Sequence, residues 1–390
     1  VLLPRGAHPS RRLSPAQPTA RPGAREQDRM GQGSEPAESE VTLRTGTKLA
    51  IRVFGSLAKA AAEPSTRWIA LHGYLDNSAT FDALCPKLLA QGASAIVCVD
   101  LAGHGRSDKR PPYHALDYAA DTIFLAEALQ WDRYSLLAHS LGGSVSQVVA
   151  ATVPDRVVRL VSIEALGFMS QHPDQAVDNL RLAVTTPPKG SNLQTYASLE
   201  AAAQRRAKMN LVGSLPIEAA RILCSRGTKP APSGSGLVWA SDPELLAPSR
   251  FRIEEATMQY MISQIKCPML LLYSQDGFLR YYNLSVLGLR TFSFPWCVVI
   301  GAVYNVWKTA HSMITFGAPP RKDTALFKLR MAYGVLRRWM KASTAKLICL
   351  PDGGHHPHLT RADDVAKAIM LWHSGAGQGK DEGQGKIKGA

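Results

Sequence analysis

Apolar and polar positions alternate along Val41–Phe54 and break at Gly46, a pattern that predicts a β-hairpin. Beyond it the chain changes period. Short, almost uninterrupted apolar runs at Arg67–Leu71, Ser94–Asp100, Tyr134–Ala138, Val157–Ile163, Cys267–Tyr273 and Lys346–Leu350 read as buried strands. Helical spacing fills the gaps between the early runs, over Ser78–Ala90, Tyr118–Leu129 and Leu141–Thr152, the last closed by Pro154. Strands alternating with helices at this pace imply parallel βαβ crossovers and an α/β fold. In such sheets the chemistry collects at the carboxyl ends of the strands, where His72-Gly73, Ser140 and Glu164 fall.

The rhythm breaks over residues 166–262. Tyr196–Met209, Pro216–Arg226 and Arg250–Ile265 have helical spacing, and Gly227–Pro243 is a link rich in Pro, Gly and Ser. This reads as a helical cap, residues 166–265, inserted between two strands. The core then comprises 39–165, 266–283 and 325–374, the last part holding a basic-faced helix at Phe327–Lys341 and a closing helix at Asp363–His373. Residues 284–324 sit where a short loop belongs and contain the 16-residue apolar run Phe292–Trp307, with Pro295 inside it and Arg290 just upstream. That is short for a membrane span, so no stable span is expected. The segment reads as an insertion, an untrimmed intron translated in frame; a lid element or a membrane-surface anchor is the functional alternative. Residues 1–38 read as a disordered leader, with Met30 as the natural start and a transit peptide as the alternative. The Gly- and Lys-rich tail 375–390 is expected to be disordered as well.

The net charge of +14 invites a nucleic-acid reading until the charge is located. Residues 1–29 hold six arginines against Glu26 and Asp28, and 281–341 hold nine Lys and Arg against Asp323. The rest of the chain is close to neutral, so the folded body offers no basic groove, and no nucleic-acid partner is expected. The six cysteines are widely spaced, with no C-x-x-C pair. Together with the lack of a secretory apolar stretch, this suits a reducing, cytoplasmic setting.

One decapeptide concentrates the chemistry. In Tyr134-Ser-Leu-Leu-Ala-His-Ser-Leu-Gly-Gly143 an apolar run ends at Ser140, with Ala138 two residues before it and Gly142 two after. A serine at a strand-to-helix corner sits in strained backbone, and a bulky side chain at either flanking position would clash. Ser140 is therefore the candidate nucleophile. Acyl transfer by serine also needs a base, an acid that orients it, and donors for the oxyanion. The backbone N–H groups of Leu141, at the helix start, and Tyr74, in the His-Gly loop, are the candidate donors. The base falls in Gly353-Gly-His-His-Pro-His358, with His355, directly after the glycines, facing Ser140. Three histidines so close together also suit a metal, but no second cluster of Cys, His and acids accompanies them, and no metal or cofactor is expected. Two carboxylates compete for the acid. Glu164 ends the strand after the elbow helix and is preferred, while Asp276 follows the next core strand; either keeps the order nucleophile, acid, His. Asp100 reads as structural, tying the Gly103–Gly105 turn.

His72-Gly-Tyr-Leu-Asp-Asn-Ser78, Asp100-Leu-Ala-Gly-His-Gly-Arg-Ser107, Ala138-His-Ser-Leu-Gly-Gly143 and Gly353–His358 together resemble the α/β-hydrolase superfamily, and within it the serine hydrolase-like protein group. The cap link Arg226-Gly-Thr228, Gly236–Trp239 and Asp242-Pro243 is similar to that group too. The resemblance implies a mostly parallel eight-stranded sheet flanked by helices, with an inserted cap. Related dehalogenases and epoxide hydrolases use Asp as nucleophile, and Ser140 argues against those activities. Some dehalogenases take their acid from the strand end where Glu164 stands. The chain departs from the pattern at Ala138, at the leader and at 284–324. The expected activity is an esterase-type serine hydrolase acting on a small, apolar acyl substrate. The alternative is a catalytically silent member that keeps the fold as a ligand-binding or interaction module. The sequence leaves the oligomeric state open.

Overall fold

A computed structural model of the chain describes residues 35–187, 194–209, 215–278, 334 and 337–375. The expected insertion 284–324, most of the expected leader and nearly all of the tail lie outside the described residues. Eight strands form one sheet: β1 (Ala37–Thr42), β2 (Lys48–Gly55), β3 (Arg67–Leu71), β4 (Ala95–Val99), β5 (Tyr134–His139), β6 (Val157–Ile163), β9 (Met269–Ser274) and β10 (Ala345–Leu350). Their order is β1-β2-β4-β3-β5-β6-β9-β10. The β1–β2 hairpin is antiparallel and joins β4 antiparallel; every later pairing is parallel.

The uninterrupted apolar strands have a simple cause. Alternate residues of each strand point to opposite faces, and both faces are covered. Ile69 and Leu71 of β3, Leu136 and Ala138 of β5, and Met269 and Leu271 of β9 pack in one core layer. Helices α2 (Ala115–Ala128), α3 (Leu141–Thr152) and α7 (Glu255–Ser263) cover that face, through Leu125, Val145, Val148, Met258 and Ile262. Trp68, Ala70, Leu137, Leu270 and Leu272 point the other way, onto α1 (Cys85–Ala90) and α8 (Ala362–Gly375). Cys85, Cys98, Cys224 and Cys267 are free thiols buried as apolar residues. No described helix is long and apolar enough to cross a membrane.

Between β6 and β9 the chain leaves the sheet. It forms α4 (Ala176–Thr185), α5 (Leu199–Lys208), α6 (Ile217–Gly227) and a small hairpin of β7 (Thr228–Pro230) and β8 (Leu237–Trp239). Helix α4 and the hairpin are absent from the sequence reading. The hairpin strands are three residues each, too short to show a period, and Gly234 and Gly236 at φ +78° and +80° turn the link between them. Helix α5 starts later than its spacing suggests, because Ser198 caps it and Tyr196 is drawn into pairing with Leu237. Helix α7, at the end of the stretch read as cap, packs on the sheet core beside α3. A buried ion pair fastens the inserted segment to the sheet: Arg226 of α6 meets Asp100 at 2.9 Å and Glu38 at 2.6 Å. Asp100 also accepts from the Ser78 and Arg106 amides, at 2.7 and 2.9 Å, so it ties the turn after β4 as expected.

Candidate active site

Strand β5 delivers Ser140 to a corner that α3 leaves at once. Ser140 has φ +50° and ψ −112°, the strained backbone that a nucleophile elbow requires. The neighbouring backbone holds it there: Ser140 N donates to Ile163 O at 2.9 Å, and Gly142 N donates to His72 O at 3.1 Å. A side chain at Gly142 would run into the Leu71 carbonyl, which explains the small residue on that flank. On the other flank the Ala138 methyl lies wholly buried in the core layer.

His355 Nε2 lies 3.0 Å from Ser140 Oγ, and His355 Nδ1 lies 3.4 Å from Glu164 Oε2. The structure thus brings three of the named residues into one line across 215 positions of sequence. Glu164 is fully buried and has φ +57°, which turns its side chain inward at the end of β6. Its carboxylate is held from both sides, Oε1 accepting from Ser274 N at 2.5 Å and Oε2 from Phe278 N at 2.7 Å. A side chain at Gly277 would overlap this carboxylate, so the glycine keeps the site open. Asp276 is placed differently: its Oδ1 accepts from Gly354 N at 2.9 Å, on the backbone just before His355. Of the two competing acids, only Glu164 is in contact with the imidazole; Asp276 anchors the loop that carries it.

Burial pushes Glu164 up to about 8, against the Phe278 and Ser274 N–H donors that favour the carboxylate; Asp276 nearby adds to the rise. Burial, and then the neighbouring His356, lowers His355 well below its ordinary range and keeps the imidazole a neutral base. The ring of Phe278 stands edge-on to His355, centroids 4.3 Å apart, and limits its rotation.

The other two named groups lie on the two segments that meet at this corner. Tyr74 follows Gly73 in the loop that receives the Gly142 N–H, and Leu141 begins α3. Among the described residues, neither backbone N–H is taken up by a loop or turn hydrogen bond. His72 fixes the loop from below, with Nδ1 2.7 Å from Gly73 O and Nε2 accepting from Leu101 N at 3.0 Å.

A second polar group behind the site goes unread in the sequence. Asp76, His139 and His356, all buried, bring one ligand-type atom each within 4.8 Å of one another. The Asp76 oxygens already have partners, Arg206 Nη2 at 2.5 Å and His356 Nε2 at 3.0 Å. Despite burial, His356 and Arg206 hold the Asp76 carboxyl well below the usual carboxylate range. The remaining histidine of the run, His358, meets Thr80 Oγ1 at 2.7 Å and stacks on His139.

Comparisons with known proteins agree with this architecture. A family model described as alpha/beta hydrolase fold matches residues 69–214. A serine hydrolase-like protein of Dictyostelium discoideum is 30% identical over 249 residues, which cover 62% of this chain and 67% of that protein. A serine hydrolase-like protein of Danio rerio is 29% identical over 222 residues, covering 55% of this chain and 67% of its own length. Among solved structures, a hypothetical protein from Pseudomonas aeruginosa PAO1 superposes with a TM-score of 0.63 at 28% identity, over 87% of this chain and 99% of that one. The chain belongs to the α/β-hydrolase superfamily, within its serine hydrolase-like group.

Proposed function

We propose that the protein is an esterase-type serine hydrolase working through Ser140, His355 and Glu164. The observation that carries this reading is the 3.0 Å approach of His355 Nε2 to Ser140 Oγ at a corner of strained backbone. Ser140 Oγ attacks the acyl carbon while His355 Nε2 takes its proton. Glu164 keeps Nδ1 protonated and offsets the charge that forms on the ring. The Tyr74 and Leu141 N–H groups receive the oxygen that becomes negative, and donors fixed in this way are worth about 10²–10³ in rate each. Collapse expels the alcohol with the proton from His355. Water then attacks the acyl-enzyme as the same nitrogen accepts its proton, and the bond from the acyl carbon to Ser140 Oγ breaks as that proton returns to Oγ and the carboxylic acid leaves. Helices α4 to α6 serve as a cap over a small, apolar acyl substrate.

A fluorophosphonate probe tests the assignment, since it reacts with a serine only when base and oxyanion donors are assembled. The folded chain is expected to be labelled, and Ser140→Ala to lose the label. A well-folded wild-type chain that stays unlabelled overturns the reading in favour of a catalytically silent binding module.

A further inference from the structure

Asp76 lies outside the line of Ser140, His355 and Glu164, yet its carboxylate meets three parts of the molecule at once. It sits two residues beyond Tyr74, in a turn closed by Asp76 N donating to Gly73 O at 3.1 Å. Its Oδ2 is 3.0 Å from His356, next to the base, and 3.6 Å from Nδ1 of His139, next to the nucleophile. Its Oδ1 is 2.5 Å from Arg206, which belongs to α5 of the inserted segment. His139 carries the arrangement forward. Its Nε2 lies 2.7 Å from the His355 carbonyl, and since a carbonyl only accepts, this nitrogen holds the ring proton. The other ring nitrogen, buried and without a hydrogen-bond partner among the described residues, faces Asp76.

We propose that Asp76 is a positioning residue that couples seating of the helical cap to the alignment of His355 on Ser140. The proposal rests on the hydrolase reading above. A carboxylate this buried is costly unless a cation compensates it. Of its partners, Arg206 alone is charged at every working pH, whereas burial drives His139 toward the neutral form. When α5 is seated, the guanidinium balances Asp76, and His356 and His139 hold the base loop by hydrogen bonds. When α5 lifts, the carboxylate loses the guanidinium that balances it. Its nearest remaining hydrogen-bond partner is His356, at 3.0 Å, and any movement there carries the backbone of His355 with it.

The experiment uses the full chain with Arg206→Met, Arg206→Lys and Asp76→Asn. Melting temperature, fluorophosphonate labelling rate, and kcat and KM for p-nitrophenyl acetate are measured for each. Arg206→Met is expected to stay folded with a lowered melting temperature, since it leaves a buried carboxylate without its cation, to keep KM, and to lose about 10- to 100-fold in kcat, the scale of a base misplaced by about 1 Å. Arg206→Lys restores most of that loss, because it returns the charge. If Asp76→Asn fails to fold, the Arg206 pair decides alone. Wild-type kcat in a folded Arg206→Met, or a change confined to KM, overturns the proposal and leaves the hydrolase reading intact. An unlabelled wild type fails the hydrolase reading instead. A stoichiometric divalent metal found by elemental analysis in the wild type and absent from Asp76→Asn also overturns it, since the carboxylate would then serve a cation.

Discussion

The Glu164→Gln substitution exchanges one oxygen of the carboxylate for an amide nitrogen and leaves its volume almost untouched. Both oxygens are engaged: Oε1 accepts from Ser274 N at 2.5 Å, and Oε2 accepts from Phe278 N at 2.7 Å while facing His355 Nδ1 at 3.4 Å. An amide nitrogen cannot accept, so it meets a donor in either orientation. Placed at Oε1, it leaves the buried Ser274 N–H unpaired, at a cost of about 1–3 kcal/mol. Placed at Oε2, it repels the Phe278 N–H and offers its own hydrogen to His355 Nδ1. That nitrogen must then be unprotonated, which moves the ring proton to Nε2, against Ser140 Oγ, and removes the base. A wrong tautomer of this kind costs about 10⁴ in kcat, equivalent to about 5.4 kcal/mol at about 1.36 kcal/mol per tenfold. Asp276→Asn keeps a carbonyl oxygen for Gly354 N, so its loss is about tenfold at most, the scale of weakening one hydrogen bond by ~1 kcal/mol. Both variants are assayed by fluorophosphonate labelling rate and steady-state ester hydrolysis, with circular dichroism to confirm folding. A larger fall in Asp276→Asn than in Glu164→Gln refutes the assignment.

The pH profile follows from the same carboxyl. With Glu164 raised from 4.5 to about 8 by burial, the carboxyl holds a proton below that pH and Nδ1 lacks its anionic partner. The kcat/KM profile is therefore expected to climb with pH and level off above about 8, and a profile already flat from pH 6 contradicts this. The native state binds that proton more tightly than the unfolded chain. Its stabilising contribution is thus full below about 4.5 and lost as pH rises through about 8, so urea midpoints should decline across that window. Gly277→Ala places a methyl group against the Glu164 carboxylate; a displacement of about 1 Å should cost on the order of 10²-fold in kcat with little change in melting temperature, and unchanged kcat refutes it. Asp100→Asn breaks the buried pair with Arg226 while Glu38 still holds the guanidinium, so a loss of about 3 kcal/mol in urea unfolding is expected, and no loss contradicts the fastening role.

Much of the sheet is legible because its strands are buried on both faces. Runs such as Tyr134–Ala138 and Cys267–Tyr273 then have few polar interruptions to confuse the period. Ser140 is legible for a different reason: the close approach of α3 to Leu71 permits only a small residue at 142, and that demand appears in the sequence. The acid is not legible to the same degree. Glu164 and Asp276 both stand past strand ends in the same chain order, and what separates them is the positive φ at Glu164 and the amides of Ser274 and Phe278, which leave no mark on composition. The Asp76 group is hidden further, since Asp76 and His356 are 280 positions apart. Nothing in either local stretch announces the other.

Glu164 at the end of β6 has a consequence for the neighbouring connection. The chain leaving β9 contributes the backbone of Ser274 and Phe278 and the Asp276 anchor, all within five residues of the strand. With the proposed acid on β6, the start of this connection supports the carboxylate and does not carry it. Changes just after β9 therefore reach the proposed reaction through the support of Glu164 and of the His355 loop, whereas in a hydrolase with its acid beyond β9 they would strike the acid itself.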